Sequence, residues 1–281
     1  MIKRILLPID YTPVSQKLIP LANEWATRVG AELYLLHVTV PHYPLPSLNK
    51  KSLQQRNAYT TLSTFMTPFS ITAKHFLLNR QGDPYAEILR MNDEIKADLI
   101  ILGGHSHTVA ERLFLGSNTD YVLHNADCPV FVYKESKTPV DKIIVPLDYT
   151  DINKEVVAIA DEEAQRTKSE LYFIHVVPLQ ATTLWDPGML GEVISTEDTL
   201  PLTRILNDFV QALKVKARYQ CLLEYGKPAA EILDLQRQTK ARIIMMASHS
   251  HTMLNRLIMG STTDYLLHHV DCSMYVYKTK K

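Results

Sequence analysis

The chain has 281 residues, of which 46% are hydrophobic, and its 30 lysines and arginines balance its 30 aspartates and glutamates. This length fits one large or two small globular domains. A formal net charge of zero supplies no long-range positive field for nucleic acid or anionic lipid, so neither partner is predicted. No stretch approaches the roughly 18 apolar residues of a membrane helix, and the first apolar run stops at Pro8. We therefore expect a cytoplasmic protein.

Strands and helices alternate along the first half of the chain. Residues 4–9 are a short apolar run typical of a buried strand. Thr12 and Pro13 then supply an N-cap and a first-turn proline for a helix that ends at Gly30. The elements predicted next are a strand over 32–38, a Pro-rich loop over 41–46, a helix from about 51, a strand over 71–78, a helix begun by Asp83 and Pro84, a strand over 98–102, a helix from Ser117 and a strand over 129–133.

The second half of the chain repeats the first. Residues 102–134 and 246–278 align without a gap and share 18 of 33 residues. The predicted domains are 1–137 and 138–281, and the polar segment that joins them is too short for a long flexible tether. Since a terminal strand leaves a sheet edge that needs cover, we expect the domains to pair through strands 129–133 and 272–277.

Alternating strands and helices predict a parallel sheet with helices on both faces. Each domain is therefore predicted to be doubly wound and Rossmann-like, with five strands. Ligands of such sheets bind at the carboxyl ends of strands, where the strand order reverses. In the first copy these ends are followed by Asp10, by residues 38–40 and by residues 103–117.

Four motifs in this order and spacing resemble those of the universal stress protein family. They are a strand ending Pro-Ile-Asp at Asp10, a Leu-Leu-His-Val strand ending at Val38, a loop ending Leu-Gly-Ser at Ser117, and the segment Asp-Cys-Pro-Val-Phe-Val-Tyr ending at Tyr133. The match covers essentially the whole chain twice, as in tandem members of the family. The resemblance implies a stress-response regulatory protein with a nucleotide-binding-type cleft.

The resemblance also implies a set of binding residues for ATP or another adenine nucleotide, with Mg. Asp10 and Val38 would hold the adenine end and Gly103 the ribose. The phosphates would lie at Ser106, Gly116 and Ser117. The set predicted for the first copy also includes Pro8, His105, His107 and Asn118. The matching residues of the second copy are Asp148, Val176, Ala247, Ser250, Gly260 and Ser261.

The loop departs from the pattern of the ATP-binding members, which carry Gly, two residues, Gly, nine residues and Gly-Ser or Gly-Thr. Ser106 replaces the second glycine in the first copy, whereas Ala247 and Ser250 replace both early glycines in the second. Phosphate binding needs a close backbone approach. A non-glycine residue forced to positive φ costs about 1–2 kcal/mol, or roughly five- to thirtyfold in affinity. Nucleotide is therefore expected in the first copy, with a degenerate second site.

Some candidate residues also have a purely structural interpretation. The segments 117–120 and 261–264 each fit a capping box, which needs no ligand. Asp10 has the alternative of satisfying backbone N–H groups in its own loop. His37 and His175 lie in predicted strands and are interpreted as packed residues.

Two histidines flank the serine of each loop, His105 and His107 in the first copy and His249 and His251 in the second. Together with Asp10 the first pair has the residue types of an open metal site. Alternate residues of an extended segment need not converge on one ion, however. A protonated His107 that contacts an anion is the favoured interpretation, because imidazole titrates near neutral pH.

Three functions are compatible with these residues. The leading hypothesis is a regulatory module that binds adenine nucleotide in the first copy. The alternative is a non-nucleotide scaffold, or a binder of another small ligand or a metal, with both sites degenerate. The third is an enzyme; no activated nucleophile or paired carboxylates appear, so at most slow ATP hydrolysis is expected. Besides the nucleotide and the intramolecular pairing, a homodimer is left open as a partner.

Overall fold

The structure is a computed structural model that describes residues 2–41, 61–104, 116–135, 141–178, 196–248 and 259–279. It divides into two compact units, one formed mainly by residues up to Lys134 and the other mainly by residues from Glu135. The predicted domain boundary at 137/138 lies outside the described residues. Among the described residues, no helix is long and apolar enough to span a bilayer.

The first unit is a parallel sheet with helices in its crossovers. Its strands are β1 (Arg4–Ile9), β2 (Glu32–Thr39), β3 (His75–Gln81), β4 (Leu99–Gly103) and β5 (Val130–Tyr133). Its helices are α1 (Pro13–Val29), α2 (Pro84–Ile95) and α3 (Ser117–Asn125), and residues 61–66 are also helical. The strand order is β3-β2-β1-β4-β5 with parallel pairs throughout, so the order reverses between β1 and β4.

The second unit repeats this architecture, as the sequence predicted. Its strands are β6 (Lys142–Pro146), β7 (Glu170–Pro178), β8 (Tyr219–Gly226), β9 (Ile243–Ala247) and β10 (Ser273–Tyr277). Its helices are α4 (Asp151–Thr167), α5 (Thr196–Ala212), α6 (Pro228–Thr239) and α7 (Ser261–His269). The parallel order is β8-β7-β6-β9-β10. The doubly wound fold predicted for each copy is therefore confirmed.

Burial explains the apolar strands of both units. Ile5, Leu6 and Leu7 of β1 are all fully buried, as are Ile144 and Val145 of β6, although neighbouring side chains of a strand point to opposite faces. Both faces of the sheet are therefore covered, as expected for parallel strands.

The third strand begins later than predicted. It spans His75–Gln81 rather than 71–78. Asn23, a residue of α1, explains the shift, because its Oδ1 accepts hydrogen bonds from Thr72 N at 3.0 Å and from Ala73 N at 3.1 Å. These two N–H groups are thus bound by a side chain before the strand begins. The Pro-rich loop predicted over 41–46 is described only at Pro41, and the predicted helix start near 51 lies outside the described residues.

The C-cap of α1 gives a stability prediction. Gly30 adopts φ +68°, and a Cβ added to it would meet nothing within 4 Å, so only the left-handed backbone requires glycine there. We expect Gly30→Ala to lower the free energy of unfolding by about 1 kcal/mol, measured by urea unfolding followed by circular dichroism. Lys168 occupies the equivalent C-cap of α4 at φ +56°, where a side chain already bears this strain. Lys168→Ala is the matched control, and an equal loss in the two variants would contradict the assignment to backbone strain.

Candidate functional site

The candidate site lies at the carboxyl ends of β1, β2 and β4, where the strand order of the first unit reverses. Ile9 pairs with His37 in the β1–β2 ladder, so the next residues, Asp10 and Val38, lie side by side. Leu6 pairs with Ile100, which places Gly103 level with the end of β1. Pro8 and Val38 are half-buried, whereas Asp10 is exposed. His105, Ser106 and His107 lie outside the described residues.

Asp10 is held by its own loop. Its Oδ1 accepts hydrogen bonds from Thr12 N at 3.2 Å, from Thr12 Oγ1 at 2.7 Å and from the buried Ser15 Oγ at 2.7 Å. Its backbone N–H donates to Ser15 Oγ at 3.2 Å. These bonds fix the carboxylate in one orientation, and they also supply the structural role that the sequence left open for this residue.

The helix after the loop begins at Ser117 as predicted, but its N-cap differs from the prediction. Gly116 is the N-cap of α3 and Ser117 its first helical residue, since Asp120 N donates to Gly116 O at 2.9 Å. The capping box predicted for 117–120 is therefore wrong. The same correction applies to 261–264, because Gly260 is the N-cap of α7 and Asp264 N donates to Gly260 O at 3.0 Å.

A buried threonine joins α3 to the end of β4. Thr119 Oγ1 donates to Gly103 O at 3.0 Å, and this side chain is only 5% exposed. Ser117 and Asn118, in contrast, are exposed at the first turn of the helix. The N–H groups of a first turn have no acceptor within the helix and carry a partial positive charge, so this end can receive an anion.

Gly104 packs tightly against β5. Its N–H donates to Tyr133 O at 2.8 Å, and an added Cβ would lie 3.0 Å from Lys134 Cγ and 3.1 Å from Tyr133 O. In the second unit Ser248 makes the equivalent bond to Tyr277 O at 2.9 Å. The first residue after β4 and the first after β9 therefore make the same backbone hydrogen bond. Ser248 carries a side chain at this position, whereas Gly104 has none.

The second unit reproduces the Asp10 loop with one exchange. Asp148 Oδ1 accepts from Thr150 N at 3.1 Å and from Thr150 Oγ1 at 2.6 Å. Asn153 replaces the serine, and its Oδ1 accepts from Asp148 N at 2.7 Å. Val176 is buried and Ala247 half-buried, whereas Ser261 is exposed at the start of α7. Ser250 lies outside the described residues.

An aromatic cluster beside Asp10 was not predicted as part of the site. Tyr11 adopts φ +62°, and its ring stacks on His37 with centroids 4.1 Å apart and contacts Phe65 at 5.0 Å. A left-handed non-glycine residue costs about 1–2 kcal/mol, so the surrounding contacts must hold it in place. Burial raises the pKa of Tyr11 to about 12, and the phenol stays neutral at physiological pH.

The second unit contains the same cluster. Tyr149 also has φ +62°, and its ring contacts His175 at 4.3 Å and Phe209 at 5.5 Å. His37 and His175 are half-buried and bonded to backbone, as their interpretation as packed residues implies. The sequence does carry a signal for this cluster. A Tyr follows the Asp in each copy, and a His lies in the second strand of each copy.

Fold and site together define the chain as two copies of a doubly wound α/β domain, each with the residues of its candidate site gathered at the switch point of the sheet. Residues 1–134 and 139–278 each match the model of the Universal stress protein family. The chain belongs to that family, in a tandem arrangement.

Individual relatives agree with this assignment. The universal stress protein MJ0531 of Methanocaldococcus jannaschii is 30% identical over 144 residues, which cover 48% of this chain and 84% of that protein. The universal stress protein Rv2005c of Mycobacterium tuberculosis is 22% identical over 191 residues, 66% of this chain and 62% of that protein. A solved universal stress protein from Archaeoglobus fulgidus covers 99% of this chain and 97% of its own, with a TM-score of 0.67 at 20% identity. The last similarity supports the fold alone.

Proposed function

We propose that the chain is a stress-response regulatory module that binds an adenine nucleotide, with its Mg ion, in the first unit. The observation that carries this proposal is the convergence of Asp10, Gly103 and the N-terminus of α3 at one switch point. Open α/β sheets bind their ligands at such points.

The phosphate end of the proposed site is the first turn of α3. Gly116, its N-cap, has no side chain to keep a phosphate away from the helix N-terminus, and Ser117 and Asn118 are exposed beside it. Phosphates are stabilised at this position because backbone N–H groups and the helix dipole both favour negative charge.

The base end of the proposed site combines Asp10 with the half-buried Val38. An ionised carboxylate only accepts hydrogen bonds. The N6 amino group of adenine donates, whereas guanine presents the O6 acceptor at the same place. With the 6-position of the base toward Asp10, adenine is therefore favoured over guanine, whose donors lie at N1 and N2 instead.

The second unit is the weaker candidate for nucleotide. It keeps Asp148, Gly260 and Ser261, but Ala247 and Ser248 stand where the first unit has two glycines. A side chain at these positions occupies space that a close ligand would need. We accordingly propose one nucleotide per chain.

A non-nucleotide scaffold is the second candidate function. The bonds from Thr12 and Ser15 to Asp10 Oδ1 favour it, since they give this carboxylate a structural task that needs no ligand. The equivalent bonds at Asp148 recur in the second unit, where Ala247 and Ser248 replace the two early glycines of the loop.

Ligand identification separates the two candidates. Purified full-length chain is heat-denatured and the released small molecules are identified by mass spectrometry, and ATP with Mg is titrated into ligand-free chain by calorimetry. The proposal expects an adenine nucleotide at about one per chain. Absence of both a released nucleotide and a binding heat would support the scaffold, and steady phosphate release would support an enzyme instead. Cytoplasmic location, domain pairing and a homodimer stay predictions.

A further inference from the structure

We infer that Tyr11 and His37 form a positioning pair that sets the orientation of Asp10 for recognition of the base. This inference rests on the proposed function, because it concerns the same site. Neither residue needs to touch the nucleotide; both would act through Asp10.

His37 contacts the residues on both sides of Asp10. Its Nδ1 lies 2.9 Å from Ile9 O, and because a carbonyl only accepts, this ring nitrogen carries the proton. Its ring also stacks on Tyr11, with an interplanar angle of 30°. One side chain of β2 thus holds the end of β1 and the first residue of the following turn.

Because its backbone is left-handed, Tyr11 can stack on His37 and still let the chain form the Asp10 loop. Its ring lies against β2 while the chain turns back, so that Thr12 N reaches Asp10 Oδ1 at 3.2 Å. A carboxylate that accepts from the N–H two residues later forms a local turn, and that turn persists only while its central residue keeps its conformation.

Phe65, which lies in the helical segment 61–66, also contacts Tyr11. Its ring meets Tyr11 edge-on at 5.0 Å and 63°, so Tyr11 lies between Phe65 and His37. The second unit uses Phe209, Tyr149 and His175 in the same way, with His175 Nδ1 2.8 Å from Leu147 O. In both units a strained tyrosine is held between two rings. This indicates that the loop requires the left-handed conformation of that residue.

The test compares Tyr11→Ala with wild type in the full chain, using ATP, AMP and GTP as calorimetric probes. We expect ATP affinity to fall about tenfold and the preference for ATP over GTP to shrink, because the carboxylate no longer keeps one orientation. The ratio of ATP to AMP affinity should stay within about twofold, since the phosphate end is untouched. Tyr11→Phe, which keeps the ring, should bind like wild type.

A double-mutant cycle tests whether Tyr11 affects ATP affinity through Asp10. In an Asp10→Asn background, Tyr11→Ala should change ATP affinity by less than about twofold, since the pair acts through the carboxylate. Tyr34→Ala is the matched control: Tyr34 is also an aromatic residue of this unit, stacked on Phe76 at 4.8 Å away from the Asp10 loop. It should leave ATP affinity unchanged.

A measurement without ligand separates this inference from the proposed function. Thr12 N–H donates to Asp10 Oδ1, so Tyr11→Ala should lower its protection from hydrogen exchange by about tenfold, and His37→Leu, which removes the bond to Ile9 O, should do the same. Loss of protection in a chain that binds no ATP would sink the proposed function and its base recognition, and would keep only the control of the Asp10 orientation by Tyr11 and His37. Unchanged protection and unchanged ATP/GTP preference in both variants would overturn the inference.

Discussion

Gly116→Val is expected to weaken ATP binding at least about a hundredfold, equivalent to about 2.8 kcal/mol. Gly116 adopts φ −64° and ψ 142°, an extended conformation that valine also favours. The loss therefore does not come from a strained backbone. It comes from a branched side chain placed at the N-cap of α3, where the phosphates are proposed to lie against backbone N–H groups.

Gly260→Val is the matched control for this substitution. Gly260 has φ −64° and ψ 144° at the N-cap of α7, so the same side chain enters the same local geometry in the other unit. Both variants also lose a favoured N-cap residue, at a cost in stability that the comparison cancels. Calorimetry with ATP and Mg should show wild-type affinity for Gly260→Val. If Gly260→Val alone removes binding, the nucleotide belongs to the second unit.

Local signals explain why most of the fold could be predicted. β1 runs from Arg4 to Ile9 as predicted, and α1 begins after Thr12 and ends before Gly30. The Thr12 Oγ1 cap on Ser15 N and the left-handed Gly30 are interactions within a few residues of sequence. The start of β3 was wrong because it depends on Asn23, which is 49 residues away from Thr72 in the chain.

The site could be predicted only in part for the same reason. The capping boxes were read from four adjacent residues, but Thr119 bonds to Gly103 O at the end of β4, 16 residues earlier. Tyr11 carries no mark of a left-handed conformation, because bulky residues rarely adopt positive φ. Its conformation follows from contacts with His37 and Phe65, which a linear pattern does not show.

The two copies have diverged in their cores as well as in their loops. Trp25 of α1 is 8% exposed and meets Phe131 of β5 edge-on at 4.8 Å. Its equivalent in α4 is Glu163, which is 4% exposed and bonded to Arg166 at 2.5 and 3.0 Å. One helix thus packs by an aromatic contact at a position where the other buries a paired charge, although the strand order is the same.

Trp25→Ala is therefore expected to lower the free energy of unfolding by about 3–5 kcal/mol, the range for removing a large aromatic side chain from a core. Urea unfolding followed by circular dichroism measures the loss. A change below about 1 kcal/mol would mean that the contact with Phe131 contributes little.

Trp25→Phe tests whether the ring contact or the whole indole matters. Phenylalanine can keep the edge-on contact with Phe131, and it removes the indole Nε1, which is buried without a hydrogen-bond partner among the described residues. An unsatisfied buried donor costs about 1–3 kcal/mol, so its removal offsets part of the lost volume. The loss for Trp25→Phe should consequently be less than half of that for Trp25→Ala. Equal losses would show that the full indole volume, rather than the contact with Phe131, stabilises this position.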